Sequence, residues 1–398
     1  MRRGIWHQFG AQSQTLARDL LNEGVGVGVV VSPRDLRLDT AAERANEFRA
    51  LGADVVLDPQ FHIPKYTNEP LATYGLEQFR QSIGTLGQLP SPEYGRLTER
   101  LEEINRRLGV SAVIAPAVVY EAGRRDVQRL NFRLFEAARR AARRLELPVY
   151  STIVLGDSVL ASEETLARAL GAATSHDCEG FYVAGEFRED RVPSGTSLVK
   201  RYLEAMLTIA MAGHPVMHAY AGPMALLSFG AGARAAAIGH RYNLWKFDRS
   251  RWGPTPSQQG GPTEYPPRRL FSEALWGTIV YPDETAQLPS ELRDKICTRS
   301  PFSGPVHSGA DWRPGDSWRH LVCVIGDRGT RVADAGSAKE CALSAIAVLE
   351  AAVVCQTEVR SHVSLRDGSD AYQAPWCEAL RALLETQGTD YDFLELLT

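Results

Sequence analysis

Over its first 245 residues the chain repeats one phrase: a short β-rich apolar run, a polar turn, then a stretch of helical periodicity. The runs are Ile5–Phe9, Val25–Val31, Asp54–Leu57, Ala112–Val119, Val149–Val154, Gly180–Ala184, Val216–Ala219 and Ala235–Ile238. Between them lie amphipathic stretches such as Gln14–Asn22, Thr40–Ala50, Tyr94–Leu108, Val127–Leu145, Glu163–Leu170 and Ser197–Met211. Strands that alternate with helices of this length form βαβ units, and their crossovers make the sheet parallel. Eight repeats predict closure into an α/β (β/α)8 barrel, the TIM-barrel architecture, rather than an open sheet. Gly52 and Gly109 stand within two residues of the ends of two helical stretches, as helix C-terminal signals do.

Two stretches break the rhythm. Pro64–Pro92 mixes Pro, Gly, Gln and Tyr after the third strand, as a functional loop would. Trp245–Asp334 is rich in Pro, Gly, Arg and Trp, with brief strand-like runs at Thr278–Tyr281 and Leu321–Ile325. The expected organisation is barrel strands and helices over 1–246, an Arg- and aromatic-rich insertion over 247–335, and a C-terminal helical segment over 336–398. In that segment Ala338–Cys355 would be the barrel-closing helix and Ala374–Glu385 a terminal one. A separate small C-terminal domain is the alternative.

Composition narrows the partners. With 44% hydrophobic and 23% charged residues the chain can bury a large core, and a net charge of −4 gives no global nucleic-acid signature. Six scattered cysteines without a C-x-x-C pair, and an N-terminus MRRGIWHQFG without an apolar core, suggest a reduced, cytoplasmic protein. No apolar run approaches the ~18 residues of a membrane span, so no membrane partner is expected.

In such a barrel the chemistry sits where the strands end. Those positions carry Trp6, His7 and Gln8; Ser32, Arg34 and Asp35; Asp58, Gln60 and His62; Tyr120 and Glu121; Ser151 and Thr152; Glu186; His218 and Tyr220; and His240, Arg241 and Asn243. Singly, a residue such as His7 or His218 also reads as a hydrogen-bonded core histidine, and Asp58 as a turn cap. Gly222 and Gly239 stand where this fold binds phosphate, beside Arg241; the alternative is that both permit tight turns. RYNLWKFDRSRW then interleaves Arg241, Lys246, Arg249 and Arg251 with Tyr242, Trp245, Phe247 and Trp252, a mixture suited to phosphates and unpaired bases. Arginines also recur over Arg124–Arg144, where a solvated outer helix face is the competing reading. No metal site is expected: His7 lacks a His-x-His partner, and Cys297, His307, His320 and Cys323 are irregularly spaced.

The runs EGFYVAGEF (Glu179–Phe187) and PVMHAYAGPMALLSFGAGARAAAIG (Pro215–Gly239) are similar to strands six to eight of the tRNA-guanine transglycosylases. Gly185-Glu186 resembles that family's Val-Gly-Glu, and Leu57–Phe61 its Asp-Ser-Gly-Gly-Phe-Gln segment, whose Asp is catalytic. The resemblance covers about a third of the chain, and it implies chemistry at an N-glycosidic bond, with relatives acting on DNA bases. Two departures stand out. The family's nucleophilic Asp would fall near Ala237, and its Cys-x-Cys-x-x-Cys…His zinc site is missing. Loss of the nucleophile turns base exchange into an expectation of hydrolytic base removal.

On that resemblance Asp58 is the acid/base or electrostatic group, with Glu186 beside it. Gln60, Glu121 and Glu186 would read the base edge, Tyr120 or Trp6 would stack on it, and His7, His218 and His240 would complete substrate binding. Gly222, Gly239, Arg241, Lys246, Arg249 and Arg251 would hold the DNA backbone, with no cofactor. A modified base and a role in anti-phage defence are further implications of the resemblance. The alternatives are a phosphosugar- or flavin-binding barrel enzyme and a catalytically dead nucleic-acid-binding barrel.

Overall fold

The computed structural model describes residues 1–10, 13–188, 192–241, 244–249, 268–308, 311–365 and 371–397. Eight parallel strands stand where the sequence places them: β1 (Gly4–Gln8), β2 (Gly28–Val31), β3 (Asp54–Leu57), β4 (Val113–Ile114), β5 (Val149–Leu155), β6 (Gly180–Gly185), β7 (Val216–His218) and β8 (Ala235–Ile238). Their order is β3-β2-β1-β8-β7-β6-β5-β4. The seam between β3 and β4 is bridged by the Ser111 amide, which donates to the Val55 carbonyl at 2.8 Å, so the barrel is nearly closed.

Alternation along the strands sorts side chains into two cores. Trp6, Val30, Val56, Ile114, Tyr150, Val154, Tyr182, Met217, Ala235 and Ala237 fill the interior. Ile5, Val29, Val31, Val55, Leu57, Ile153, Phe181, Val183 and Val216 face the helices. Small residues make room for large ones inside. A Cβ on Gly28 would lie 2.5 Å from the Trp6 ring, and one on Gly180 2.4 Å from the Tyr150 ring. Ala237 pairs in register with Trp6 in this packed interior, so the strand-eight position carries no nucleophile.

The eighth helical position differs from expectation. Pro314–Ala333 is one helix, including the run Leu321–Ile325 that reads as strand-like in sequence. It lies against β1 and the helix Ser13–Asn22. Gly326 and Gly329 permit that approach, since added Cβ atoms would stand 2.6 Å from Val25 and 2.7 Å from Ile5. The helix Ala338–Arg360, started by a Ser337/Glu340 capping box, packs outside it against Ala225–Gly230 and Gln373–Thr386.

A hairpin of β9 (Arg269–Ser272) and β10 (Gly277–Val280) shares a satellite core with Leu292, Trp312, Cys355 and Val359. It is anchored to the barrel by Trp276, fully buried, whose indole donates to the Pro223 carbonyl at 3.3 Å. All six cysteines are free. No helix among the described residues is long and apolar enough to cross a membrane.

Candidate functional site

Where β3 ends, the pleat that turns Val55 and Leu57 outward turns Asp58 into the barrel mouth. Its carboxylate is 1% exposed and fully engaged. Oδ1 accepts the Gln60 amide at 2.9 Å, while Oδ2 accepts the hydroxyls of Tyr220 at 2.9 Å and Tyr182 at 3.1 Å. Gln60 and Tyr220 both have left-handed backbones, with φ of 56° and 54°. Such conformations cost about 1–3 kcal/mol in non-glycine residues and gather at functional sites. Here two of them converge on one carboxylate.

A hydrogen-bond chain sets the Gln60 side chain. Its Nε2 donates to Ser32 Oγ at 2.9 Å, and the Ser32 hydroxyl donates to Asp35 at 2.7 Å. Gln60 Oε1 is thereby left buried without a partner among the described residues. Gln8 behaves alike: Oε1 lies 3.3 Å from the Tyr182 hydroxyl, and Nε2 has no partner among the described residues. Buried polar groups are normally satisfied, so the open acceptor and open donor beside Asp58 are available to a ligand's polar edge.

Two further residues complete this layer. His62 lies edge-on to Phe247 at 4.7 Å, and burial pushes its pKa down to about 4, against an opposing pull from Asp58. It is therefore neutral at pH 7. Arg80 is 1% exposed, with Nη2 donating to the Ile63 carbonyl at 2.5 Å and with Nε and Nη1 unpartnered among the described residues. Burial pushes the guanidinium down to about 10, opposed by the negative charges of Glu77 and Asp58.

The chain after β8 lies across this mouth as a strap. Leu244, Trp245 and Phe247 are buried, and the Phe187 amide donates to the Phe247 carbonyl at 3.0 Å, continuing β6 by one bridge. A Cβ on Gly239 would lie 2.4 Å from that of Leu244, and one on Gly222 2.6 Å from that of Trp245. The two glycines thus seat the strap. Arg249 clamps the far end: Nε and Nη2 grip the Glu186 carboxylate at 2.8 and 2.7 Å, and Nη1 reaches Glu121 at 2.8 Å. These acids hold the Arg249 side chain protonated, Glu186 most strongly. Lys246 is buried 3.8 Å from Asp248. Glu186, Glu121, Lys246 and Arg249 therefore work within the fold in this closed arrangement, not as an open base-reading and backbone-gripping set. Arg251, Tyr242, Asn243 and Trp252 lie outside the described residues.

Strand alternation redirects several expected contacts. Trp6 points into the lower barrel, its indole 3.3 Å from the Arg2 carbonyl. His7 points outward to the Val25 carbonyl at 2.8 Å, so the mouth residue of β1 is Gln8. His218 also faces outward, 2.6 Å from Ser228 Oγ; burial lowers His7 to about 4 and His218 to about 3. Tyr120 belongs to the barrel–helix core. His240 sits 3.3 Å from Ser13 Oγ, and Arg241 stacks over Trp318 at 5.0 Å. Of the expected site residues, Asp58 and Gln60 meet at the mouth centre, with Glu186 and Glu121 at the strap.

Tyr182 and Arg80 escaped the sequence reading, though each left a signal. Tyr182 alternates with outward Phe181 and Val183, which puts a hydroxyl inside the barrel where it must find a partner. Arg80 shares the i, i+3, i+4, i+7 stripe of buried Leu76, Phe79 and Ile83, where an apolar residue belongs.

No protein-family model matches the chain, and no curated protein matches its sequence. Among the described residues no three His, Cys, Asp or Glu side chains come together as a metal-binding group. His320 is held by Ser300 Oγ and the Phe271 carbonyl, each at 2.8 Å. A cleft of about 530 Å³ opens at the opposite end of the barrel, lined by Arg3, His214, Arg234 and Glu340. That end of the fold commonly serves stability.

Proposed function

We propose that the protein removes a nucleobase from DNA by hydrolysing its N-glycosidic bond, with Asp58 as the central group. The observation that carries this reading is the Asp58 carboxylate, fixed by two tyrosine hydroxyls and one amide between two carboxamides that each keep one open polar atom among the described residues. A carboxylate so held stabilises the positive charge that builds on the sugar as the base departs with the bonding electrons. Oδ2 is saturated by the two hydroxyls, whereas Oδ1 keeps a lone pair beside its bond to Gln60. That lone pair accepts a proton from the attacking water, and the departing base takes up another from solvent. Gln8 and Gln60 supply the donor and the acceptor that a planar heterocycle presents in complement.

Base entry requires the strap over 244–249 to lift, with Phe247 withdrawing from His62 and Tyr220. The target base must also leave its stack before it can reach so deep a carboxylate. The resemblance to transglycosylase strands and the apolar Ala237 support removal over exchange. Seating of the strap by Gly222 and Gly239 speaks against the phosphosugar or flavin alternative, whose phosphate would need the same space. The reading, including a modified base as substrate and an anti-phage setting, is tested by incubating the protein with unmodified and naturally modified phage DNAs. Released base and alkali-labile abasic sites are expected from wild type and not from Asp58→Asn.

A further inference from the structure

The helix Arg125–Leu145 carries an exposed arginine stripe that the mouth chemistry leaves unused. At 100° per residue, Arg125, Arg129, Phe132, Arg133, Arg140 and Arg143 fall on one face, and all are exposed. Arg125, Arg129 and Arg143 have no carboxylate partner among the described residues. The acids on and beside the face are already committed: Glu136, within the face, and Asp177 to Arg139, Asp126 to Arg124, and Glu102 to Arg106 and Arg144.

The neighbouring helix Glu93–Leu108 shows what a solvated charged face looks like in this protein. There Arg96, Arg100 and Arg106 each pair with a glutamate three or four residues away. The arginine stripe lacks that compensation, on a chain whose net charge is −4. Phe132, 46% exposed, sits among the arginines. Unscreened guanidinium groups with a flat apolar ring suit a phosphate backbone better than bulk water.

We infer that this face is a track for a DNA backbone leading to the barrel mouth; for the identity of the polyanion the inference rests on the function proposed above. The helix starts at the mouth end, where Arg124 lies 3.7 Å from Glu121, the acid that also receives Arg249 of the strap. Its 21 residues span about 30 Å, the length of roughly nine base pairs. DNA lying along it would place a flanking segment on the stripe while the target nucleotide enters the barrel.

The test is fluorescence anisotropy of the full chain on a labelled 30-bp duplex, read as the dependence of Kd on KCl between 50 and 200 mM. Replacing Arg125, Arg129 and Arg143 together by Gln should lower the slope of log K against log salt by about 2 to 3 and weaken binding at least tenfold at 100 mM. The same charge removed at Arg299, Arg313 and Arg360, exposed elsewhere, should leave the slope unchanged. An unchanged slope in the stripe variant, an equal fall in the control, or no duplex binding by wild type at 50 mM overturns the inference. Binding is read without turnover, so the two proposals fail separately. A stripe-dependent slope with no base release removes the glycosylase reading alone, and release with a stripe-independent slope removes the track alone.

Discussion

The Tyr220 hydroxyl donates to Asp58 Oδ2 at 2.9 Å from a backbone held at φ 54°, so β7 contributes to the site through a strained residue just beyond its end. With Tyr182 on β6 at 3.1 Å, donors from two strands fix a carboxylate from a third. Replacing either tyrosine by Phe should keep the fold and lower base release about 100- to 1,000-fold, the range seen when one pre-organised donor is removed. The double variant should lose less than the product of the single losses, because both act on one oxygen. Single-turnover release rates with circular dichroism as a folding control decide this.

The Arg249–Glu186 pair makes a separate claim about the strap. Arg249→Met leaves Glu186, 2% exposed, as an uncompensated buried acid and should destabilise the protein by about 3–5 kcal/mol. Adding Glu186→Gln should recover part of that loss. Urea unfolding of the three variants checks it, with faster proteolysis of the Arg249→Met protein around 244–249 expected.

Gly239 decides between a strap seat and a phosphate cradle. A methyl there meets the Leu244 Cβ at 2.4 Å, so Gly239→Ala should destabilise the fold by about 1–3 kcal/mol, and Leu244→Gly, which removes that Cβ, should cost less beside Gly239→Ala than it does alone. Thermal melts with and without inorganic phosphate check both points: a partial rescue, and no phosphate-dependent shift in wild type.

Acid should unfold the protein early. Burial lowers His7, His62, His176 and His320 to about 4 and His218 to about 3, from an ordinary value of 6.5. The unfolded chain therefore binds more protons than the fold as pH drops below 6.5, and stability falls through the window from 6.5 to 4. Each histidine costs about 2 kcal/mol between pH 7 and pH 5. Asp35 and Asp327, raised by burial, act in the opposite sense. Urea midpoints should drop steeply from pH 7 to pH 5, and equal midpoints would refute the buried neutral histidines.

The barrel was legible because its signal is periodic: eight apolar runs separated by helical stretches leave little else to fold into. The mouth was legible only to the resolution of the pleat. At β1 the residues His7 and Gln8 are neighbours in sequence, yet one faces the helices and the other the site, and composition favours the histidine. Asp58 and Gln60 stood out as polar residues just past an apolar strand. Tyr182 did not, because an aromatic inside a strand reads as core until its hydroxyl is accounted for. The strap is less legible for a related reason. Its cations suggest phosphate, but Arg249 answers Glu186 and Glu121, and such long-range pairing leaves no local pattern; only Lys246, two residues from Asp248, has its acid close by in sequence. Leu321–Ile325 read as a strand because a short apolar run carries no period of its own; the helix around it is set by contact with β1.

The central claim is that Asp58 drives departure of a base. The direct measurement is chromatographic detection of free base from naturally modified phage DNA, with abasic sites counted by alkaline cleavage, for wild type and Asp58→Asn side by side. The Asn variant keeps the shape and an acceptor for the tyrosines while losing the charge. Released base and matching abasic sites from wild type, with at least a thousandfold slower release from Asp58→Asn, is the predicted result. Equal release from both proteins, or none from wild type on any DNA that it binds, would contradict it.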